Sequence, residues 1–342
     1  MNALLSPSAM PKTARPDFLP SVQDVRDAAQ RIASAVSTTR LHKSAGLSAQ
    51  LQLDVYFKCE HEQQTGSFKV RGAYNVLASM SPEQRGRGVV ASSAGNHGLG
   101  VAFASHAFHA PAMLYVPSNA PQVKKDGIRR LGATVNDDEA DYDLAMVRAR
   151  LHAEMHGIPF INPCLGAELL AGQGTVALEV LQQMPELRTI VVCTGGGGLL
   201  GGIGAVLREL APNVRIVGAQ SVNTAAMSLS VNAGHVVSIE NLPTLADGLA
   251  GQIDHEGLAI GQYCADTIVT VGEDEIGETI AWLWRAEGMR VEGAGAVAVA
   301  ALRHNLIHDA GGPLVAIVSG ANIDQKRHAA LLALYAEGIE TL

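Results

Sequence analysis

Apolar positions along this chain alternate between two rhythms. Short unbroken apolar runs predict strands near 53–59, 88–91, 112–116, 133–136, 158–161, 189–193, 214–219, 267–271 and 314–318. Stretches with apolar residues three and four apart predict helices near 69–80, 96–109, 120–131, 139–156, 168–183, 199–210, 222–232, 273–288, 294–306 and 324–336. A further helix is expected over 21–36, where Ser21 caps the start and Val22, Val25, Ala28, Ile32 and Ala33 form one stripe. The stretch 233–265 has turn residues and short apolar pieces but no clear period. Strand and helix in alternation imply an α/β fold with parallel sheets and right-handed crossovers. Ligands in such folds bind beyond the carboxyl ends of strands. Ser92, Gly195 and Ser319 all fall there, so one shared cleft is expected.

Composition narrows the picture. A chain of 342 residues is long for one core and comfortable for two. With 47% hydrophobic and 17% charged residues it reads as a compact globule rather than a disordered chain. A formal charge of −8 leaves no basic face for nucleic acid. Cys59, Cys164, Cys193 and Cys264 are scattered, without CxxC or metal spacing, and read as buried thiols in a reducing cytoplasm. Residues 1–19 carry Pro7, Pro11 and Pro16 and no continuous apolar stretch, so a flexible tail is expected rather than a signal peptide or anchor. The apolar runs are too short and glycine-broken to span a membrane.

Three segments carry candidate chemistry. In Gln64-Thr65-Gly66-Ser67-Phe68-Lys69-Val70-Arg71-Gly72, Thr65, Gly66 and Ser67 read as a turn or cap that puts Lys69 in the first turn of a helix. Helix starts favour anions, so a lysine there can meet a phosphorylated ligand; alone, the segment equally fits a solvated lysine on a capped helix. Thr194-Gly195-Gly196-Gly197-Gly198-Leu199 lies between a predicted strand and helix, a layout that surrounds a phosphate with backbone N–H groups. No P-loop Lys-Ser/Thr follows it, and its match to dinucleotide glycine spacing is unspecific. A tight turn against a closely packed helix is the alternative. Ser92-Ser93-Ala94-Gly95-Asn96-His97-Gly98 brings hydroxyl, amide and backbone donors to a helix start, which suits a carboxylate; a cap cluster without ligand is the alternative.

TGSFKVRGA, SSAGNHG, TGGGGLLGGI, LADGLA, VEGAGAV and VSGANID, in that order and spacing, resemble the fold-type II (tryptophan synthase β-like) pyridoxal-phosphate enzymes. Within them, the chain from about 20 to 335 is similar to the serine/threonine dehydratase and serine racemase branch. The resemblance implies two lobes: a large cofactor-binding domain over 20–81 and 161–342, and a small domain inserted at 82–160. It implies pyridoxal 5'-phosphate held covalently on Lys69, its phosphate on Gly195, Gly196, Gly197, Gly198 and Leu199, and its ring hydroxyl on Asn96. Phe68, Gly248 and Glu292 would line the ring, and Ser319 would face the pyridine nitrogen. A serine there implies a neutral ring nitrogen and prompt loss of a β leaving group. Ser93, Ala94, Gly95, Asn96 and His97 would form the substrate-carboxylate loop, and Lys69 would take the Cα proton.

The implied activity is a dehydratase, or ammonia-lyase, converting L-threonine or L-serine to a 2-oxo acid and ammonia. A specialist for 3-hydroxyaspartate or a phenylserine, and an amino-acid racemase, are the alternatives. Serine racemases carry a second serine where this chain has Ala94, which cannot exchange a proton. Gln220-Ser221-Val222-Asn223-Thr224-Ala225-Ala226 lacks the carboxylates of their divalent metal site, so no metal is expected there. A sulfhydrylase is disfavoured by SFKVRG and SSAGNHG, and a non-catalytic amino-acid-binding module by Lys69. No regulatory-domain-sized segment is expected after about 336, as in short dehydratases. A cytoplasmic homodimer acting on a small amino acid, without nucleic-acid or membrane partners, completes the expectation.

Overall fold

The computed structural model describes residues 13–336. Nine strands form two sheets: β1 (Leu41–Lys43), β2 (Val55–Lys58), β3 (Val89–Ser92), β4 (Ala112–Pro117), β5 (Thr134–Glu139), β6 (Thr189–Cys193), β7 (Arg215–Ser221), β8 (Thr267–Val271) and β9 (Leu314–Ile317). The larger sheet has six strands in the order β1-β2-β9-β6-β7-β8, and only β1 runs antiparallel to its neighbour. The smaller sheet, β3-β4-β5, is wholly parallel and lies in sequence between β2 and β6. Every residue of β3, β6 and β9 is buried, as expected where helices cover both faces of a parallel sheet. One apolar core surrounds the six-stranded sheet. A second joins the small sheet to the Lys69–Ser79 and Asn96–Ala107 helices through Val70, Ala73, Leu77, Val101 and Ala104.

Most predicted elements lie where the periodicity puts them, with instructive departures. No strand forms over 158–161. Phe160 makes only an isolated parallel bridge to Val90, because Pro159 has no N–H to continue a ladder. The stretch 222–232 divides into a 3-10 turn, Val222–Thr224, and a helix, Ala226–Ala233. The helix expected over 21–36 ends at Ile32, leaving Ala33 exposed as its cap. The one expected over 139–156 begins at Tyr142, because Glu139 belongs to β5 and Asp141 caps the helix by accepting from Leu144 N at 2.8 Å. β1 and the helices Ala45–Leu51, Pro82–Gly86 and His255–Cys264 were not expected; the first three are too short to display a period. The tail expected over 1–19 lies outside the described residues as far as residue 12.

The fold gathers the chemistry at strand ends. The Ser92–Gly98 loop follows β3, the glycine run follows β6, and Ser319 to Asn322 follow β9. Lys69 opens the helix that packs between them.

Candidate active site

Lys69 is the first residue of its helix, but Ser67 does not cap it as the sequence suggested. Phe68 is the N-cap, in helical conformation, and the buried Ser67 hydroxyl has no protein partner. The chain before Lys69 is instead strapped to the segment after β9. Ser67 bridges Gly320 in antiparallel fashion, Phe68 N donates to Ser319 O at 3.1 Å, and Ala321 N donates to Gly66 O at 2.9 Å. This strap consumes the backbone groups that a serine cap would have organised. The Lys69 amine, half-buried, donates to Pro163 O at 2.7 Å and stands 5.4 Å from the Phe68 ring centre.

The glycine run turns sharply into the Gly198–Leu210 helix. Gly197 is the N-cap at φ +98°, a left-handed conformation that side chains disfavour. The first-turn N–H groups of this helix have no carbonyl ahead of them and sit at its positive end. Leu199 is buried beneath the turn. Cys164 packs directly on it: a Cβ on Gly196 would lie 2.7 Å from Cys164 Sγ, and one on Gly198 3.0 Å from Cys164 O. Since Lys69 bonds to Pro163, the amine and the glycine turn lie against the same dipeptide.

Opposite walls are built from the remaining motifs. A Cβ on Gly195 would meet Leu249 O at 2.8 Å, and one on Gly248 would meet Ala294 Cβ at 3.3 Å. Ser319 is buried and its hydroxyl donates to Ala294 O at 3.2 Å. Glu292 is the N-cap of the Gly293–Arg303 helix, yet its side chain does not cap. It accepts from Asn96 Nδ2 at 2.5 Å, and burial pushes its carboxyl up to about 7 against the opposing Asn96 bond. Asn96 Oδ1 accepts from Asn322 Nδ2 at 2.6 Å.

On the carboxylate-type loop, Ser93 Oγ accepts from Gly95 N at 3.1 Å, and Ala94 is half-buried beside it. His97 is buried, with Nε2 3.1 Å from Ile161 O. A carbonyl only accepts, so Nε2 carries the proton. Burial first, and then the Lys69 charge, push this imidazole down to about 3. Its ring is therefore neutral and brings no positive charge to a carboxylate; what His97 can offer is its backbone N–H at the helix start.

Cys164 departs from the expectation of four buried thiols. It is half-buried at the turn, while Cys59, Cys193 and Cys264 are buried outright. Pro163, Cys164 and Asn322 were missed as site residues, because none belongs to a recognisable chemical pattern until the chain folds. The Gln220–Ala226 stretch does lack carboxylates, but the fold brings Glu273 to it: Glu273 accepts from Ser221 Oγ, from Thr244 Oγ1 at 2.7 Å and from Leu245 N at 2.6 Å. Among the described residues, no three His, Cys, Asp or Glu side chains cluster to hold a metal.

Comparison with known proteins converges on one family. The family described as pyridoxal-phosphate dependent enzyme matches residues 32–320. L-threonine ammonia-lyase of Thermotoga maritima is 40% identical over 309 residues, 89% of this chain and 76% of that one. Maize serine racemase superposes with a TM-score of 0.87 at 29% identity, covering 94% of this chain and 99% of that chain. The processed form of threonine deaminase isoform 2 from Solanum lycopersicum gives a TM-score of 0.84 at 29% identity, covering 98% and 99%.

Proposed function

The chain belongs to the pyridoxal-phosphate-dependent enzymes, and on that premise we propose that it is an ammonia-lyase converting a β-hydroxy amino acid such as L-threonine or L-serine to a 2-oxo acid and ammonia. The observation that carries this reading is the placement of the Lys69 amine and the tetraglycine turn against one dipeptide, Pro163–Cys164. The donor set fits the cofactor group by group. A primary amine suits its aldehyde, a glycine-lined helix start suits its phosphate, and an amide and a hydroxyl suit its ring oxygen and ring nitrogen. Buried hydroxyls of Thr65, Ser67 and Ser92 without protein partners fit a cleft made to receive a polar molecule.

In this reading Lys69 carries the cofactor, beside Phe68. N–H groups of Gly195 to Leu199 hold the phosphate, Asn96 donates to the ring oxygen, and Gly248 and Glu292 line the ring. Ser319 has one hydrogen, now given to Ala294 O, and turns it to the ring nitrogen by rotating about χ1. The bound cofactor supplies an electron sink for the charge left on Cα. N–H groups at the start of the Asn96–Ala107 helix, with Ser93, Ala94, Gly95 and His97 forming the loop, orient the substrate carboxylate. Lys69 Nζ takes the Cα proton, and the β-hydroxyl departs as water.

Likeness to maize serine racemase favours racemisation as a second reading. Ala94 opposes it, because no hydroxyl stands at that loop position to exchange a proton. The reading extends to a small lobe over 82–160 and a larger one over 20–81 and 161–342. The confinement of the three-stranded sheet to 89–139 supports it. It also extends to a homodimer in the cytoplasm; no helix among the described residues is long and apolar enough to cross a membrane.

Incubation with L-threonine and assay of 2-oxobutyrate and ammonia tests the activity. The expected result is equimolar release of both, with recovered serine or threonine still L. Absence of keto acid from threonine, serine, 3-hydroxyaspartate and phenylserine alike would reject it.

A further inference from the structure

A side-chain amide can face either way round, and its orientation is decided by neighbours that can play only one role. Thr65 O is such a neighbour, since a carbonyl only accepts. It takes a hydrogen from Asn322 Nδ2 at 2.8 Å. The second hydrogen of the same nitrogen goes to Asn96 Oδ1 at 2.6 Å. Both donors of Asn322 are then spent, and Asn96 must present its oxygen to Asn322. Its nitrogen consequently faces the other way, where Nδ2 donates to Glu292 Oε1 at 2.5 Å. That bond uses one of its two hydrogens and leaves the second for a ligand.

The chain of polarity is closely enclosed. Gly66, at φ +74°, passes so near that a Cβ there would lie 2.6 Å from Asn322 Oδ1. A Cβ on Gly320 would lie 2.1 Å from Glu292 Oε1 and 3.1 Å from Asn96 Nδ2. Reversing Asn322 would set its oxygen against two other oxygens, those of Thr65 and Asn96. Reversing Asn96 would set nitrogen against nitrogen at Asn322.

We propose that Asn322 is a positioning residue that, through Thr65 O, locks Asn96 with its amide nitrogen toward Glu292 and a spare N–H for the ring oxygen of the cofactor. This inference rests on the functional reading above. It adds that the polarity of Asn96 is dictated from the chain segment that carries Lys69. Glu292 completes the lock from the other end by accepting, and Asn322 initiates it.

The test is a double-mutant cycle read by cofactor affinity, with pyridoxal phosphate titrated into the cofactor-free chain and followed by absorbance. Asn322→Asp has the same shape but only acceptors at neutral pH, so it repels both Thr65 O and Asn96 Oδ1 and reverses the Asn96 amide. It is expected to weaken cofactor binding about tenfold, the cost of one hydrogen bond with a repulsion in its place. Asn322→Ala removes the lock without reversing it and should fall between wild type and Asn322→Asp. In an Asn96→Ala background both Asn322 substitutions should have no further effect. Equal effects of Asn322→Asp with and without Asn96 would overturn the inference, as would an Asn322→Asp chain that binds as tightly as wild type. If Asn322→Asp does not fold, the Asn322→Ala pair decides in the same way. A wild-type chain that takes up no cofactor removes the functional reading itself, and this inference with it.

Discussion

Arg71 grips Glu60 with both oxygens engaged: Nε donates to Oε2 at 2.7 Å and Nη2 to Oε1 at 2.8 Å, and neither side chain is more than 1% exposed. Arg71 lies two residues beyond Lys69 on the same helix. Its Nη1 also donates to Glu179 at 2.7 Å, and Glu179 accepts from the buried Lys58 at 2.6 Å. Burial alone would raise the Glu60 carboxyl; the Arg71 charge and bonds, helped by Lys58, outweigh it and hold it below its ordinary value. Two cations and two carboxylates thus fix the helix that presents the amine to β2 and to the Ala167–Gln183 helix.

Breaking this network should be costly. Arg71→Leu leaves Glu60 buried without its main partner and should destabilise the chain by about 3–5 kcal/mol. Arg71→Lys restores the charge but not the fork, and should cost less. Urea unfolding of the three proteins measures both. Equal stability of wild type and Arg71→Leu would show that the network is energetically idle.

Glu292 should give the cofactor-free protein a pH-dependent stability of unusual sign for a carboxylate. Its folded value, raised to about 7 by burial, exceeds its ordinary 4.5. Between those values the fold holds a proton that the open chain has released. The associated stability is complete at low pH and falls as pH rises toward 7, by at most about 3 kcal/mol. Glu292→Gln should flatten that slope and be the more stable protein above about pH 7. Unfolding titrations of both proteins across this range provide the check. Parallel profiles would contradict the assignment.

Cys164 should be the one thiol that reacts in the native protein. Burial raises Cys59 and Cys264 to about 12 and Cys193 to about 11, and all three are enclosed. N-ethylmaleimide should therefore label Cys164 first, and bound cofactor should slow it at least about tenfold if the turn beneath Cys164 holds the phosphate. Peptide mapping reads the site. Labelling indifferent to cofactor would separate Cys164 from the phosphate turn.

Much of this architecture could be read from the chain before folding. Strands such as 189–193 and 267–271 are dense apolar runs between turn residues, and they appear with those bounds. Lys69, the glycine run and the Ser92–Gly98 loop announce themselves because small or reactive residues stand where a strand meets a helix. The unread part is made of relations between distant segments. Asn322 looks like a turn asparagine until Thr65 is brought beside it, 257 positions away. Cys164 looks like a core thiol until the glycine turn packs on it. Phe68 replaces Ser67 at the helix cap because the strap to Gly320, invisible in local pattern, has already taken the backbone.

The central claim is that the amine of Lys69 bears the cofactor. Borohydride reduction of the protein loaded with pyridoxal phosphate, followed by peptide mass mapping, tests it most directly. The added mass should fall on the peptide containing Lys69, and Lys69→Ala should carry none and lose keto-acid formation by about a thousandfold or more. A stable adduct on any other lysine, or unchanged activity in Lys69→Ala, would contradict the account.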